Sequence, residues 1–399
     1  MNIPKLRFKD NNGNDYPQWE KKKLGDLVSI KTGISPTNIL DEYGSIPYFK
    51  VEQLNNSNKY QINTPYKTKN NQKLIPPKSI IFPKRGISIL SNKIRILSQY
   101  SLIDTNIMAL IVKNNSTSNE FLYYFLLNED LSKIADTTSI PQINNKHIEP
   151  YNIYLPLLDE QEKIANFLTT VDKKIENLAN TITSLENQKK GLLQQIFSQK
   201  LRFKDKNGNN YPNWEKKKLG DICKFTGGGT PSTSILKYWN GTIPWISSSD
   251  LQTNTIHKIK ISRYITNEAV SNSSTKIIPK NSILIVSRVG VGKVAISNCV
   301  LCTSQDFTNI TEINGNTTFY AYLLKYKMEQ LTQNTQGTSI KGITTSDIKN
   351  IKLIVPIEQT EQTKIADFLS AFDRKLDNQK AQLEHWQQIK KGLLQQMFV

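Results

Sequence analysis

Few residues of this 399-residue chain have the type and spacing that chemistry needs. The segment RVGVGKVA (288–295) comes nearest to a phosphate loop. Such a loop needs Gly-x4-Gly-Lys-Ser/Thr, because backbone amides cradle the phosphate and the hydroxyl meets magnesium. Ser287 stands where the first glycine belongs and Val294 where the hydroxyl belongs, so a tight turn between strands is the better reading. Cys299 and Cys302 have metal-ligand spacing, but a structural zinc wants four ligands. Cys223 is distant and no histidine is near in sequence, so buried strand cysteines are expected. GGGTPS (227–232) is not a dinucleotide fingerprint, since no Gly-x-Gly-x-x-Gly helix follows. Neither IPPK (75–78) nor SIPY (45–48) is the Asp/Asn-Pro-Pro-aromatic tetrad of an amino-methyltransferase. His147, His257 and His385 form no recognisable nucleophile–base arrangement. No catalytic residue and no metal ligand is assigned.

What remains is charge. Lys and Arg number 52 against 34 Asp and Glu, a net +18, which points to a polyanion and most often to nucleic acid. The N-terminal MNIPKLRFKDNNGN lacks the apolar core of a signal peptide, and no apolar run approaches a membrane span. Three cysteines cannot form a disulfide framework, so a reducing cytoplasm is the expected setting.

The elements that must position these charges repeat. KLRFKDNNGNDYPQWEKKKLGD (5–26) returns as KLRFKDKNGNNYPNWEKKKLGD (200–221), with 19 of 22 positions identical at an offset of 195. A second pair, 163–197 and 364–398, matches at an offset of 201. The chain is one unit of about 200 residues written twice. Short β-branched runs (SIIF, KIRIL, NIMALIVK, SILIVS, NIKLIVP) read as strands. Residues 121–135 and 319–334 read as one helix per half, so each globular region is mixed α/β.

Each unit ends in a heptad seam. Ile164, Leu168, Val171, Ile175, Leu178, Ile182, Leu185, Lys189, Leu192 and Ile196 step by 4 and 3. The second copy runs Ile365, Leu369, Phe372, Leu376, Gln379, Leu383, Trp386, Lys390, Leu393, Met397. The polar interruptions at Lys189, Gln379 and Lys390 predict specific rather than maximally stable pairing. Antiparallel pairing within the chain would make it roughly two-fold symmetric. The organisation read is a first domain over 1–155, a helix over 156–199, a second domain over 200–355 and a last helix over 356–399.

In a pseudo-symmetric protein, matched stretches can bind two copies of one partner while diverged stretches read two different sequences. The matched Leu6, Phe8, Tyr16 and Trp19, with Leu201, Phe203, Tyr211 and Trp214, are candidates for partner surfaces. The alternative for these residues is core packing kept after duplication.

The chain resembles the DNA-specificity subunits of type I restriction-modification systems. The features that carry the resemblance are TGGGTPS leading to IPWISSSDL (226–251), SRVGVGKVAI (287–296), GTSIKGITTSDIKNIKLIVP (337–356) and PLLDEQEKIANFLTTVDKKI (156–175). KTGISPT (31–37) and IPYFKVEQL (46–54) are weaker first-half forms. QTEQTKIA (359–366) carries an apparent extra residue against DEQEKIA (159–165), which leaves the start of the second helix open by a turn. The resemblance implies an α/β (α+β) fold: two globular mixed α/β target-recognition domains separated by two long antiparallel coiled-coil helices. Each domain would read one half of a bipartite DNA site. The helices would space the domains and dock two adenine-methyltransferase subunits, and then restriction–translocation subunits. This chain would itself be non-catalytic, with S-adenosylmethionine, ATP and magnesium on its partners.

DNA reading needs cations for phosphates and forked or amide side chains for base edges. First-domain candidates are Lys50, Gln53, Lys84 and Arg85, with Gln142, Asn144 and Lys146. Second-domain candidates are Thr230, Ser247, Ser248, Ser249, Arg288 and Lys293, with Gln336, Thr338, Ser339 and Lys341. Two rivals stand beside this reading. A stand-alone DNA-binding regulator would bind its site tightly without a methyltransferase. An enzyme such as a nuclease would turn over as the pure chain.

Overall fold

The computed structural model describes residues 4–136, 140–333 and 342–398. The chain forms two units, Met1–Ala179 with Ala381–Val399, and Asn180–Lys380. Four helices matter to the site: α1 (Asn119–Glu129), α2 (Leu158–Phe197), α3 (Thr317–Gln333) and α4 (Gln359–Met397).

In the first unit a five-stranded sheet runs Val28–Thr32, Ile107–Val112, Ile80–Pro83, Arg95–Leu97, Tyr60–Gln61. Its last pair is parallel and the others antiparallel. A second, three-stranded sheet runs Lys67–Thr68, Ile46–Phe49, Leu102–Ile103. Glu20–Lys23 pairs antiparallel with Asn152–Leu155. The second unit repeats the plan with Cys223–Gly227, Phe307–Ile313, Ile283–Val286 and Val294–Ile296 as its main sheet. Its second sheet holds Arg263–Ile265, Ile243–Ile246, Leu301–Thr303 and Ile277–Ile278, and Glu215–Lys218 pairs with Lys352–Val355.

The strand expectations fall on observed strands because each run is β-branched and bounded by turn residues. The expected first-half helix is shorter than 121–135. It ends at Asp130, which adopts φ +56°, and a 3-10 turn follows over Leu131–Ile134. Aspartate tolerates the left-handed region, and its Oδ1 accepts from Ser132 N at 3.2 Å.

Every described seam position is buried or half-buried. The pairing is antiparallel. In the first unit Asp172 of α2 meets Lys390 of α4, and in the second Lys189 meets Asp373 and Glu186 meets Lys380. The two helices lie within the expected 156–199 and 356–399. Each contributes one end to each unit's core, because an apolar stripe must bury against its neighbours. Leu394 and Met397 join Ile164, Leu168 and Phe121 in the first unit. Leu193 and Ile196 join Ile365, Leu369 and Phe319 in the second. The helices begin 201 residues apart, at Leu158 and Gln359, so the apparent extra residue in QTEQTKIA causes no shift.

Candidate nucleic-acid interface

The duplicated N-terminal segments fasten each domain to its helix. Arg7 forks onto Glu160 (Nε 2.9 Å, Nη2 2.7 Å) and also donates to Pro17 O at 2.8 Å. Arg202 repeats this on Glu361 and Pro212 O. Trp19 Nε1 donates to Glu160 at 3.2 Å and Trp214 Nε1 to Glu361 at 3.1 Å. Glu160 and Glu361 are buried, which is tolerable only because each is paired and hydrogen-bonded. The next residue also works inward. Gln161 accepts from Ser118 N (2.8 Å) and donates to Pro156 O (2.8 Å), while Gln362 accepts from Asn316 N and donates to Pro356 O. These four helix residues account for the DEQE and TEQT segments: each bonds to the globular part of its own unit.

The candidate partner residues are therefore partly spent. Trp19 and Trp214 belong to the cores, so core packing accounts for both. Phe8 meets Phe167 edge-on and Phe203 meets Phe368 likewise. Lys163 lies over the Tyr16 ring and Lys364 over that of Tyr211. Leu6 N donates to Gln396 O and Leu201 N to Gln195 O, so each segment also closes on the end of the opposite long helix.

Across the seam each unit carries a Tyr–Asp–Lys set. Tyr124 donates to Asp172 at 2.7 Å, and Lys390 sits 2.6 Å from the other Asp172 oxygen. Tyr322 donates to Asp373 at 2.7 Å, and Lys189 pairs with Asp373. Burial and the adjacent carboxylate push both phenols far above their usual range. The lysines that interrupt the heptad pattern thus meet a charge from the other helix, which fixes register.

The candidate reading loops sit at equivalent places. In the first unit Gly86 N donates to Pro141 O and Ile143 N to Lys84 O, and Arg85 bridges Gln142. In the second, Ser287 N donates to Asp306 O and Ile343 N to Ser287 O, which holds Arg288 beside Gly342. Arg85 and Arg288 are exposed, and neither side chain bonds or ion-pairs with a described residue. Lys84 is half-buried, and burial with the nearby Arg85 lowers its pKa. Gln142 donates to Asn144 at 3.1 Å, and Lys146 pairs with Asp136 at 3.1 Å. Lys84, Arg85, Gln142, Asn144 and Lys146 are therefore brought together. Arg288 lines a cleft of about 800 Å³ with Gly228, Gln305, Thr344 and Thr345. The turn at 288–293 is the tight connection the sequence suggests, with positive φ at Gly290 and Gly292.

Most other candidates make contacts within their own unit. Gln53 is buried, and its amide oxygen accepts from Lys50 N at 2.9 Å. Lys50 Nζ lies 3.6 Å over the Tyr66 ring. Asp250 takes the place of Gln53 in the second unit and accepts from Ser247 N at 2.7 Å. Arg263, unforeseen in the sequence, donates to Ser247 at 2.7 Å, pairs with Asp250 and stacks over Trp245. Ser248 lends its carbonyl to Lys293 Nζ at 2.8 Å, Ser249 is exposed beside Ser247, and Thr230 bonds Gln305. Gln336, Thr338, Ser339 and Lys341 lie outside the described residues. The glycines of KTG and TGGG allow close approach: a Cβ on Gly33 or Gly228 would lie 1.9 Å from Ile103 O or Ser304 O. Burial raises the Cys302 thiol to about 11 and the Cys223 thiol to about 12. No described helix is long and apolar enough to cross a membrane.

Two copies of a mixed α/β domain, each closed by one end of both long helices and each with an exposed arginine that has no partner among the described residues, define a duplicated recognition protein. The chain belongs to the family of the type I restriction modification DNA specificity domain, which matches residues 16–187 and 211–385. It is 36% identical over 208 residues to the MjaIX specificity subunit of Methanocaldococcus jannaschii, covering 51% of this chain and 48% of that one. The chain thus spans about half the length of that relative. It is 25% identical over 418 residues to the MjaVIII specificity subunit of the same organism, covering 97% of this chain and 94% of the relative. The fold is that of a type I S subunit from M. genitalium, with a TM-score of 0.61, 18% identity, and coverage of 100% of this chain and 99% of that one.

Proposed function

We propose that this chain is the DNA-recognition subunit of a type I restriction-modification complex. Each unit reads one half of a bipartite site in double-stranded DNA. The observation that carries this reading is the pair of equivalent loops, one per unit, each presenting an exposed arginine without a partner among the described residues, while the N-terminal clamp of each unit is repeated nearly unchanged. A frame that matches suits partners that come in two copies, here two adenine-methyltransferase subunits and the restriction subunits that join them. Loops that differ suit two different half-sites. The chain has no catalytic motif of its own, so S-adenosylmethionine, ATP and magnesium are assigned to the partners.

The test is binding and assembly. The chain should co-purify with an adenine methyltransferase in a one-to-two ratio, and the pure chain should show no nuclease, methyltransferase or ATPase turnover. Turnover abolished by a point substitution in this chain would overturn the reading. With about eight phosphate contacts, log affinity against log salt should fall with a slope near −7.

Arg288→Ala should cost about 1–3 kcal/mol of binding if its fork reads a guanine, and relax preference at one half-site only. Competition among single-base variants of the site measures this. Equal weakening on every sequence would make Arg288 a phosphate contact.

A further inference from the structure

Within the first unit a cleft of about 830 Å³ opens between the Tyr60–Gln61 and Arg95–Leu97 strands and the long helices. Five cations line it: Lys59, Arg95, Lys173, Lys390 and Lys391. Lys59 is buried and fully engaged, donating to Tyr124 (3.0 Å) and Thr169 (2.8 Å) and pairing with Glu120. Lys390 answers Asp172. The remaining carboxylate of the lining, Glu176, is exposed. Arg95 is different. It is half-buried, its Nη1 reaches only the neighbouring Ile94 O at 2.7 Å, and its Nε is buried with no partner. No described carboxylate pairs with it.

The fold does not require these charges, as the second unit demonstrates. Ile96 N donates to Lys59 O at 2.8 Å, and Ile296 N donates to Ile256 O at 2.8 Å, so Ile256 stands where Lys59 does. Arg95 pairs with Ile81 in the sheet, and Ala295 pairs with Leu284 in the equivalent ladder. Ile256 and Ala295 are both fully buried. In the second unit both positions are apolar, Ile256 in the core with Phe319 and Leu369 and Ala295 in the cluster with Leu284 and Val286; the first unit holds there a paired ammonium and a guanidinium with no described carboxylate partner. Burying a cation without a partner is unfavourable, so an anion from outside the chain is the missing partner.

We propose that this cleft binds a phosphate group, with Arg95 as its principal contact and Lys173 and Lys391 at its mouth. A planar fork of donors suits phosphate oxygens. The group can come from a DNA backbone or from a free phosphate compound such as a nucleotide. The DNA source rests on the function proposed above; the free source does not.

Arg95→Ala reproduces what the second unit carries at Ala295, so the variant should fold. Thermal unfolding of the full chain is compared in pyrophosphate and in chloride at equal ionic strength. The salt dependence of duplex binding is measured alongside, with Lys224→Ala, at an exposed site distant in sequence, as control. For a free phosphate source, pyrophosphate should stabilise the wild type, and Arg95→Ala should bind it roughly tenfold more weakly. For a backbone source, Arg95→Ala should flatten the log–log slope by about 1. Either change, absent from the control, supports the site. If Arg95→Ala matches wild type in both measurements, or wild type responds to neither, the site is overturned. A pyrophosphate response without duplex binding would keep the site and sink the DNA-recognition reading. Normal duplex binding with an unchanged slope and no pyrophosphate effect would do the reverse.

Discussion

Replacing Asp373 with alanine should lower the unfolding free energy by about 3–5 kcal/mol, as expected when one member of a buried ion pair is removed. Asp373 is 5% exposed and its partner Lys189 is 6% exposed. The substitution leaves an ammonium facing the apolar seam. Tyr322 loses its carboxylate acceptor and keeps the contacts of its hydroxyl with His257 Nε2 at 3.0 Å and with Ser370. The double change Lys189→Met with Asp373→Leu should recover most of the loss, because two apolar side chains of similar volume avoid the desolvation that the pair must overcome. Asp172→Ala in the first unit should cost less, since the Asp172 and Lys390 side chains are about a fifth exposed and water can solvate what remains. Urea denaturation of the three variants gives the ordering. A single Asp373→Ala within 1 kcal/mol of wild type would show that the pair does not hold the seam.

Exchanging residues 30–150 for the same region of another such subunit should rewrite one half-site and leave the other intact. Two mismatched base pairs at about 1–3 kcal/mol each would weaken binding to the original site by roughly thirty- to twenty-thousand-fold. The exchange keeps the clamp of Arg7 and Trp19 on Glu160 and both long helices. It also keeps the two strands Glu20–Lys23 and Asn152–Leu155, which close the domain at its root. Helix α1 moves with the exchanged region and packs on α2 and α4 through Phe121 and its neighbours. The donor must therefore supply a tyrosine at position 124 to meet Asp172. Mapping methylated adenines made by the assembled chimaera reads the result. A change in both half-sites would show that the units do not read independently.

Local period was enough for much of this. The 4-and-3 spacing from Ile164 to Ile196 defines a buried stripe whatever it packs on, because side chains three and four apart share a helix face. The runs SILIVS and NIMALIVK define strands, and the glycines of RVGVG define a turn, since positive φ there suits only glycine. The repeat at offsets of 195 and 201 made the duplicated plan legible, and Arg85 and Arg288 were found because both stand beside such anchors. Gln53 illustrates the limit. Its amide reads as a base-edge contact by type, yet it is buried as the cap of its own turn.

The partners of buried polar groups were decided by tertiary structure alone. Glu160 carries no signal of burial in the sequence, but Arg7 and Trp19, 153 and 141 residues away, enclose it. Lys189 and Lys390 read as faults in the seam until antiparallel pairing brings Asp373 and Asp172 against them. Nothing in the sequence singles out Lys59 and Arg95, yet the sheet buries the first and half-buries the second at positions where the second unit has Ile256 and Ala295. Periodicity is a property of neighbouring residues, so a sequence carries it outright. The cost of a buried charge depends on which distant group closes over it, and only the folded chain decides that.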